Sequence, residues 1–319
     1  MSDLCEPWSF RLVHSVWLRN QVPVLSEFGL KVGIVKEERF RNAWVLRDSG
    51  KDAEALREFE ALSGLASDDS ERRALLLQQA NCLWRLNRTK GARDRLSEAE
   101  ALGTNPSAEL MDARLCIAEG NPDEAVRRLL LFPRGYAELK HSPEADTYVD
   151  AQEELGRLLV DLRRYAQAVE PLRDALSVGV AEEKQRRRLC FYLGICYFNA
   201  ERWHEAEEQF TESLPADHQD AWWGQAQYYL GICHYENGNL GAAEQTLVKS
   251  LPPDRQDPLW SKTQYQLGRV YFKQGAYVKA QKAFELCRFF VDDVELQTNI
   301  SRWLAETRVR LGQSSERPS

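Results

Sequence analysis

Three short segments in the C-terminal half of the chain are near copies of one another: Tyr192-Leu-Gly-Ile-Cys-Tyr197, Tyr229-Leu-Gly-Ile-Cys-His234 and Gln266-Leu-Gly-Arg-Val-Tyr271. Their glycines stand 37 residues apart, at positions 194, 231 and 268. Twelve residues after each glycine comes an alanine, and four residues further a bulky apolar residue. The alanines are Ala206, Ala243 and Ala280, and the bulky residues are Phe210, Leu247 and Phe284. A fixed period of this length indicates a repeat array, which grows lengthwise without splitting into compact domains.

The small residues predict that two antiparallel helices approach each other closely within every repeat. A glycine in the middle of the first helix and an alanine on the second leave room for the two backbones, while leucine, tyrosine and phenylalanine fill the space around them. A bulky side chain at either small position should not fit.

The order Leu-Gly, then Tyr, then Ala, then Phe resembles the tetratricopeptide repeat, a helix-turn-helix unit. The stretch from Tyr265 to Ala280 is especially similar to the consensus of that family. The resemblance implies an all-α solenoid of about seven such hairpins in a right-handed superhelix with a C-terminal capping helix. It also implies that the concave face, formed by the first helix of each hairpin, binds a partner.

Weaker copies extend the register towards the N-terminus. The small position in the first helix falls at residues 43, 80, 113 and 156 before the three clear copies. The step from 113 to 156 is longer than the others and contains Phe132-Pro-Arg-Gly-Tyr136 and Pro143, which predict an inserted loop. We therefore expect degenerate repeats 1 to 3 over residues 36–142 and repeats 4 to 7 over 143–293, then a capping helix over 294–312 and a disordered tail over 313–319.

Residues 1–35 do not fit the repeat. Trp8, Leu12 and Val16 have helical spacing, but Pro23 and Gly29 interrupt this pattern further along the segment. We interpret residues 1–35 as an N-terminal cap over the first repeat. The alternative is a segment that occupies the groove or mediates self-association.

The junctions between repeats carry helix stop and start signals. Pro215 and Pro252 follow the second helix of repeats 5 and 6, where proline cannot continue a helix. Asp220 and Asp257 precede the next first helices and are predicted N-caps.

Composition excludes several classes of function. The formal net charge of −7 gives no general reason to expect nucleic acid as a partner. No apolar stretch approaches the roughly 18 to 20 residues that span a bilayer, and the N-terminus has no secretory pattern. An odd number of cysteines, seven, in a chain of this size favours reduced thiols. These features predict a cytoplasmic protein without membrane insertion.

No motif for catalysis, a cofactor or a metal ion is found in the sequence. Cys82, Cys196 and Cys233 each follow the small position by two residues, and Cys116, Cys190 and Cys287 also fall on core positions. His234 replaces the tyrosine found at 197 and 271, so we expect a packed ring with a satisfied nitrogen. The chain is therefore predicted not to be an enzyme.

The candidate binding surface is the face shared by the first helices of repeats 5 to 7. Phe191, Tyr228 and Tyr265 occupy one equivalent position, and Phe198, Tyr235 and Phe272 another, two helical turns later. Ile195, Ile232 and Arg269 lie between these two rows. Aromatic anchors ringed by polar groups are typical of a peptide groove, although the family consensus also places aromatic residues there for packing between repeats.

The sequence thus predicts a scaffold, adaptor or assembly factor that binds a peptide or protein partner. The alternative is a sensory or regulatory module for a small ligand or peptide signal. A third interpretation, RNA recognition by helical hairpins, is disfavoured by the acidic charge.

Overall fold

The computed structural model describes residues 27–103, 105–135, 138, 145–179, 182–215, 222–288 and 294–315. The predicted N-terminal helix around Trp8, the residues Pro143 and Asp220, and residues 316–319 of the predicted tail lie outside these ranges.

Within the described ranges the chain forms fifteen α-helices and no strand. Their bounds are α1 Glu27–Asp48, α2 Asp52–Ser63, α3 Asp69–Arg85, α4 Thr89–Ala101, α5 Pro106–Ala118, α6 Pro122–Gly135, α7 Ala145–Asp161, α8 Tyr165–Val178, α9 Glu183–Asn199, α10 Trp203–Ser213, α11 Trp223–Glu236, α12 Leu240–Ser250, α13 Pro258–Lys273, α14 Tyr277–Arg288 and α15 Val294–Ser315. The predicted all-α class is confirmed.

The chain divides into two compact units, and the boundary between them falls after Leu158, inside α7. In the first unit α1 packs on α2, α3 on α4, and α5 on α6. In the second unit the hairpins are α9 with α10, α11 with α12, and α13 with α14, and each packs on its neighbour. We call the first helix of a hairpin its A helix and the second its B helix. The last helix, α15, packs on α14 and α13, as a capping helix should.

The close approach predicted for the A and B helices is present in the second unit. A Cβ atom placed on each of the three repeated glycines would lie 2.5 to 2.8 Å from a side chain of the partner helix: Phe210 for Gly194, Leu247 for Gly231 and Phe284 for Gly268. Carbon atoms in contact prefer about 3.5 to 4.0 Å, so these positions exclude even a methyl group unless the neighbour moves. The facing alanines Ala206, Ala243 and Ala280 are fully buried.

The degenerate copies in the first unit use the same positions for their core. Ala43, Ala80 and Ala113 on the A helices have no exposed surface. Their partners on the B helices are equally buried: Ala55 and Phe59, Ala92 and Leu96, Ala125 and Leu129. The register predicted from weak sequence similarity therefore describes the packing of these hairpins.

A regularity in the turns was not predicted. The residue seven positions after each small residue has a positive φ, between 56° and 84°. These residues are Gly50, Asn87, Gly120, Arg163, Glu201, Gly238 and Gly275. A left-handed residue ends the A helix and turns the chain into the B helix, which is why glycine and asparagine are frequent there.

The two stop signals and the start signal at Asp257 are confirmed, whereas the N-cap of α11 is Trp222 and not the predicted Asp220. α10 ends at Ser213 and α12 at Ser250, each two residues before a proline. The Asp257 side chain accepts a hydrogen bond from the Leu259 backbone N–H at 2.8 Å, as the predicted N-cap should.

The predicted inserted loop begins later than expected. α6 continues through Pro133 to Gly135, so the segment from Phe132 is still helical. Phe132 is buried and its ring lies 6.3 Å from that of Tyr148 on α7. This aromatic contact holds the last turn of α6 against the next A helix, which the proline alone did not reveal.

The close approach of the A and B helices can be tested by replacing three glycines of the second unit with alanine and measuring the free energy of unfolding. We expect Gly268→Ala to lower the free energy of unfolding by about 1 to 3 kcal/mol through overpacking against Phe284. Gly275→Ala, whose Cβ meets nothing within 4 Å but whose φ is +76°, should cost about 1 to 2 kcal/mol through backbone strain alone.

Gly241→Ala on α12 is the matched control, because its Cβ would meet nothing within 4 Å and its φ is not positive. It should stabilise the protein by about 0.5 to 1 kcal/mol through helix propensity. Chemical denaturation of the three variants measures all of these changes. Equal effects of Gly268→Ala and Gly241→Ala would contradict the close contact.

Candidate functional site

The nine residues predicted to line the groove all lie on the A helices of the second unit, α9, α11 and α13. Their side chains differ in exposure. Phe191, Ile195, Ile232 and Tyr235 are buried, with 6 to 9% of their surface exposed. The others are partly buried: Phe198, Tyr228, Tyr265, Arg269 and Phe272. The face they form is therefore the edge of the core, with limited side-chain area open to solvent.

Some of the predicted aromatic residues pack between neighbouring helices. The Phe198 ring lies 5.0 Å from Tyr229 of the next A helix, and Tyr229 stacks on Phe210 at 5.5 Å. The same arrangement recurs at the end of the array. There, Phe272 lies 5.0 Å from Trp303, which stacks on Phe284 at 6.0 Å. These triads join the hairpin of α9 and α10 to α11, and the hairpin of α13 and α14 to α15.

Tyr265 takes part in the second of these contacts. Its hydroxyl accepts a hydrogen bond from Trp303 Nε1 at 3.2 Å, and its ring lies 6.0 Å from Phe284. Replacing Tyr265 by alanine would therefore remove packing of the capping helix as well as any contact with a partner. Tyr265 is a poor position at which to test binding.

The contact between α11 and α13, which lies between the two triads in the array, is polar. Gln266 stands where the triads have Tyr229 and Trp303, and Arg269 stands where α9 and α11 have isoleucine. The Tyr235 ring is covered by two cations, with the Arg269 guanidinium carbon 4.5 Å and Lys273 Nζ 4.7 Å from its centre. Cations over an aromatic face are attracted by the ring quadrupole.

Arg269 also connects the two A helices. It donates hydrogen bonds to Gln266 Oε1 at 2.8 Å and to Glu236 Oε1 at 3.1 Å. Gln266 is also a polar neighbour of Tyr228, whose pKa is raised by burial and lowered to a smaller extent by Gln266. Polar side chains therefore cross this part of the A-helix face.

A cleft of about 450 Å³ opens on the A-helix face beside Phe191 and Ile195. It lies between the end of α7, the start of α8, α9 and α11, all within the second unit. Aromatic side chains form much of its wall: Tyr165, Phe191, Tyr192, Trp222 and Tyr229. The remaining lining residues are Val160, Asp161, Arg188, Ile195 and Gln225.

The structure brings only two of the nine predicted residues, Phe191 and Ile195, into this cleft. Tyr192, Tyr229 and Trp222 were not predicted to line it. Tyr192 and Tyr229 open two of the repeated hexapeptides, so their recurrence is a signal in the sequence that could have indicated the cleft. Tyr165 and Trp222 lie at helix starts, where no repeat position indicated a role.

The six described cysteines are free and buried, as the sequence predicted from their core positions. Burial raises the pKa of Cys82 to about 11 and the pKa values of Cys190, Cys196, Cys233 and Cys287 to about 12. A thiol must lose its proton to act as a nucleophile or a metal ligand. These side chains are therefore inert packing groups near neutral pH.

His234 is partly buried on α11, and its environment differs from the prediction. Its Nδ1 lies 3.4 Å from Glu207 Oε1 on α10 and has no hydrogen-bond partner among the described residues. Nδ1 is therefore not the predicted satisfied nitrogen. Asn237 donates to the other oxygen of Glu207 at 2.5 Å and holds that carboxylate in place.

The described residues show neither a group of three or more His, Cys, Asp or Glu side chains arranged for a metal ion nor a helix long and apolar enough to cross a membrane.

Comparison with known proteins agrees with the helical hairpins. Residues 153–221 match the family profile described as tetratricopeptide repeat. That part of the chain is similar in sequence to a tetratricopeptide repeat. The matched residues include α9 and α10, the first of the clear repeats.

Solved structures of three other proteins share the fold. The pilF protein of Pseudomonas aeruginosa has a TM-score of 0.55 at 16% identity over 73% of this chain and 99% of that one. YrrB, described as a tetratricopeptide repeat protein with an unusual peptide-binding site, has a TM-score of 0.53 at 15% identity, with 65% and 97% covered. A chain of an APC/C hetero-tetramer has a TM-score of 0.53 at 18% identity, with 83% and 48% covered. No curated protein matches the sequence.

The buried thiols of these helical hairpins give a test of the packing. With Cys5 replaced by serine, we expect the native protein to show almost no reaction with a thiol reagent at about pH 8, because all six described thiols are buried and the raised pKa values keep five of them protonated. Concentrated guanidinium should expose all six described cysteines. Rapid labelling of several thiols in the native state would contradict the described core.

Proposed function

We propose that this protein is a non-enzymatic scaffold that binds a peptide segment of a partner protein on the A-helix face of its second unit. The observation that carries the proposal is the aromatic cleft between α9 and α11. Its volume of about 450 Å³ lies within the usual range of roughly 300 to 1,000 Å³ for ligand pockets. A space of this size accommodates one large side chain together with the adjoining backbone.

The composition of the cleft favours a peptide. Phe191 and Ile195 form a buried floor, and the partly buried rings of Tyr165, Tyr192 and Trp222 form walls. Rigid aromatic side chains supply large contact areas at little entropic cost, and such residues carry most of the binding energy in many interfaces. The buried Trp222 Nε1 has no acceptor among the described residues, so a backbone carbonyl of the bound segment would satisfy it.

The other predicted groove residues have a second role in this proposal. Phe198 and Phe272 hold successive A helices together through the aromatic triads. Tyr228 lies beside Tyr229, with ring centres 5.3 Å apart, and so continues the surface from the cleft towards α13. The bound segment would therefore anchor in the cleft and extend across α11.

The shared fold supports the class of function. YrrB is described as having a peptide-binding site, and we extend this class of ligand to the present chain on the strength of its own cleft. We also place the scaffold in the cytoplasm, a reducing compartment in which the free buried cysteines persist.

Site-specific photo-crosslinking tests the location. A benzophenone amino acid at Gln225, an exposed residue on the cleft, should form an adduct with one discrete protein in extract of the native organism. Trp222→Ala in the same protein should weaken that complex by about 2 kcal/mol, because an aromatic anchor is lost. Mass spectrometry of the adduct and titration of the identified partner measure the two effects.

The matched control places the same benzophenone at Val278, which is 70% exposed on the B helix α14. This position should not capture the partner. Equal capture from Val278, or an unchanged affinity of a folded Trp222→Ala variant, would refute the cleft as the binding site.

A further inference from the structure

The helix α13 has an unusual charge composition. It contains three cations and no carboxylate. Lys262, Gln266, Arg269 and Lys273 are spaced by four, three and four residues, which puts them on one side of the helix. We call these four residues the α13 stripe.

Contacts place the α13 stripe on the A-helix face. Arg269 and Lys273 both lie over the Tyr235 ring of α11, at 4.5 and 4.7 Å from its centre. Lys262 and Lys273 are exposed. The stripe is therefore open to a segment that crosses α11.

The positive charges of the stripe exceed the negative charges that pair with them. Glu236 pairs with Arg269 at 3.1 Å, but none of the described carboxylates forms an ion pair with Lys262 or Lys273. The imbalance extends beyond the stripe, since residues 258–319 contain ten Lys and Arg against six Asp and Glu, whereas the whole chain contains 42 against 49. Clustered charges of one sign attract a ligand of the opposite sign.

The stripe is continuous with the cleft through side-chain contacts. The Tyr229 ring in the cleft wall lies 5.3 Å from the Tyr228 ring, and Tyr228 has Gln266 of the stripe as a polar neighbour. Gln266 accepts a hydrogen bond from Arg269 at 2.8 Å. A segment anchored in the cleft that runs along this line reaches Lys273 at the end of α13.

We propose that the bound segment is an acidic peptide, with a large apolar side chain in the cleft and carboxylates along the α13 stripe. This inference rests on the proposed function and specifies its ligand. Lys262 and Lys273 would form ion pairs with the peptide, while Arg269, already held by Gln266 and Glu236, would offer its remaining donors.

A single-stranded nucleic acid is a less suitable occupant of the same surface. Such ligands stack their bases on open aromatic faces. The Tyr235 ring is 8% exposed and already covered by two cations, so it offers no free face for a base. The acidic remainder of the chain would also repel a phosphate backbone.

Two labelled peptides of about twelve residues test the inference, each long enough when extended to cover the cleft and the stripe. One combines glutamate with tryptophan and leucine, and the other has lysine in place of every glutamate. Fluorescence anisotropy with the full chain should show at least about tenfold tighter binding of the glutamate peptide, with an affinity that falls as salt is added.

The double variant Lys262→Glu and Lys273→Glu should weaken the glutamate peptide by at least about tenfold and reduce its salt dependence. The control double variant Lys249→Glu and Lys282→Glu makes the same change in net charge on the B helices α12 and α14 and should leave binding unchanged. A labelled oligouridine should bind more weakly than the glutamate peptide.

The outcomes separate this inference from the proposed function. Equal affinity for the two peptides, absence of binding by the glutamate peptide, equal effects of the two double variants, or tighter binding of the RNA would each overturn the acidic ligand. None of these results would contradict the capture of a partner by the benzophenone at Gln225. Equal capture from Gln225 and from Val278, in contrast, would overturn the cleft as the binding site.

Discussion

The structure depends on one steric constraint, the near contact of paired helices at a residue that lacks a side chain. In each clear repeat the backbone of the A helix approaches a bulky residue of the B helix so closely that a methyl group would overlap it. The first unit meets the same requirement with alanine, at positions such as Ala43 and Ala80 that retain no exposed surface. Because a hairpin of this kind cannot bury its remaining apolar face alone, its neighbour has to complete the core.

The contacts between hairpins then determine which side chains of the A-helix face remain open to solvent. Aromatic triads close the contacts of α9 with α11 and of α13 with α15. Between α11 and α13 two of the three rings are replaced, by Leu247 and Gln266, and cations cover the remaining Tyr235 ring. The departure from the apolar pattern thus coincides with the polar, positively charged part of the A-helix face. A repeat array acquires a specific surface through such departures, since the regular positions are occupied by packing.

The fold could be predicted largely because its determinants are periodic. Glycine, alanine and phenylalanine recur at fixed spacing, and each is required at its position by the close packing of the A and B helices. For this reason even the weak copy around Ala113 indicated the correct core residues. The left-handed turn residues also recur, but Asn87, Arg163 and Glu201 replace glycine at three of the seven positions and obscured the pattern.

The candidate site was harder to predict, because exposure depends on neighbours that the period does not specify. Phe198 and Phe272 look like groove residues in sequence, yet their rings contact the next helix. Trp222 and Tyr165 enter the cleft from helix starts, where the repeat register does not fix the direction of a side chain.

A double-mutant cycle tests the steric constraint most directly. Gly268→Ala, Phe284→Ala and the double variant would be compared by chemical denaturation. If the glycine is required because the Phe284 ring fills its space, removing that ring should relieve the overlap with the added methyl, so the double variant should be more stable than the sum of the single changes by about 1 kcal/mol or more. Additive effects within about 0.5 kcal/mol would contradict the account.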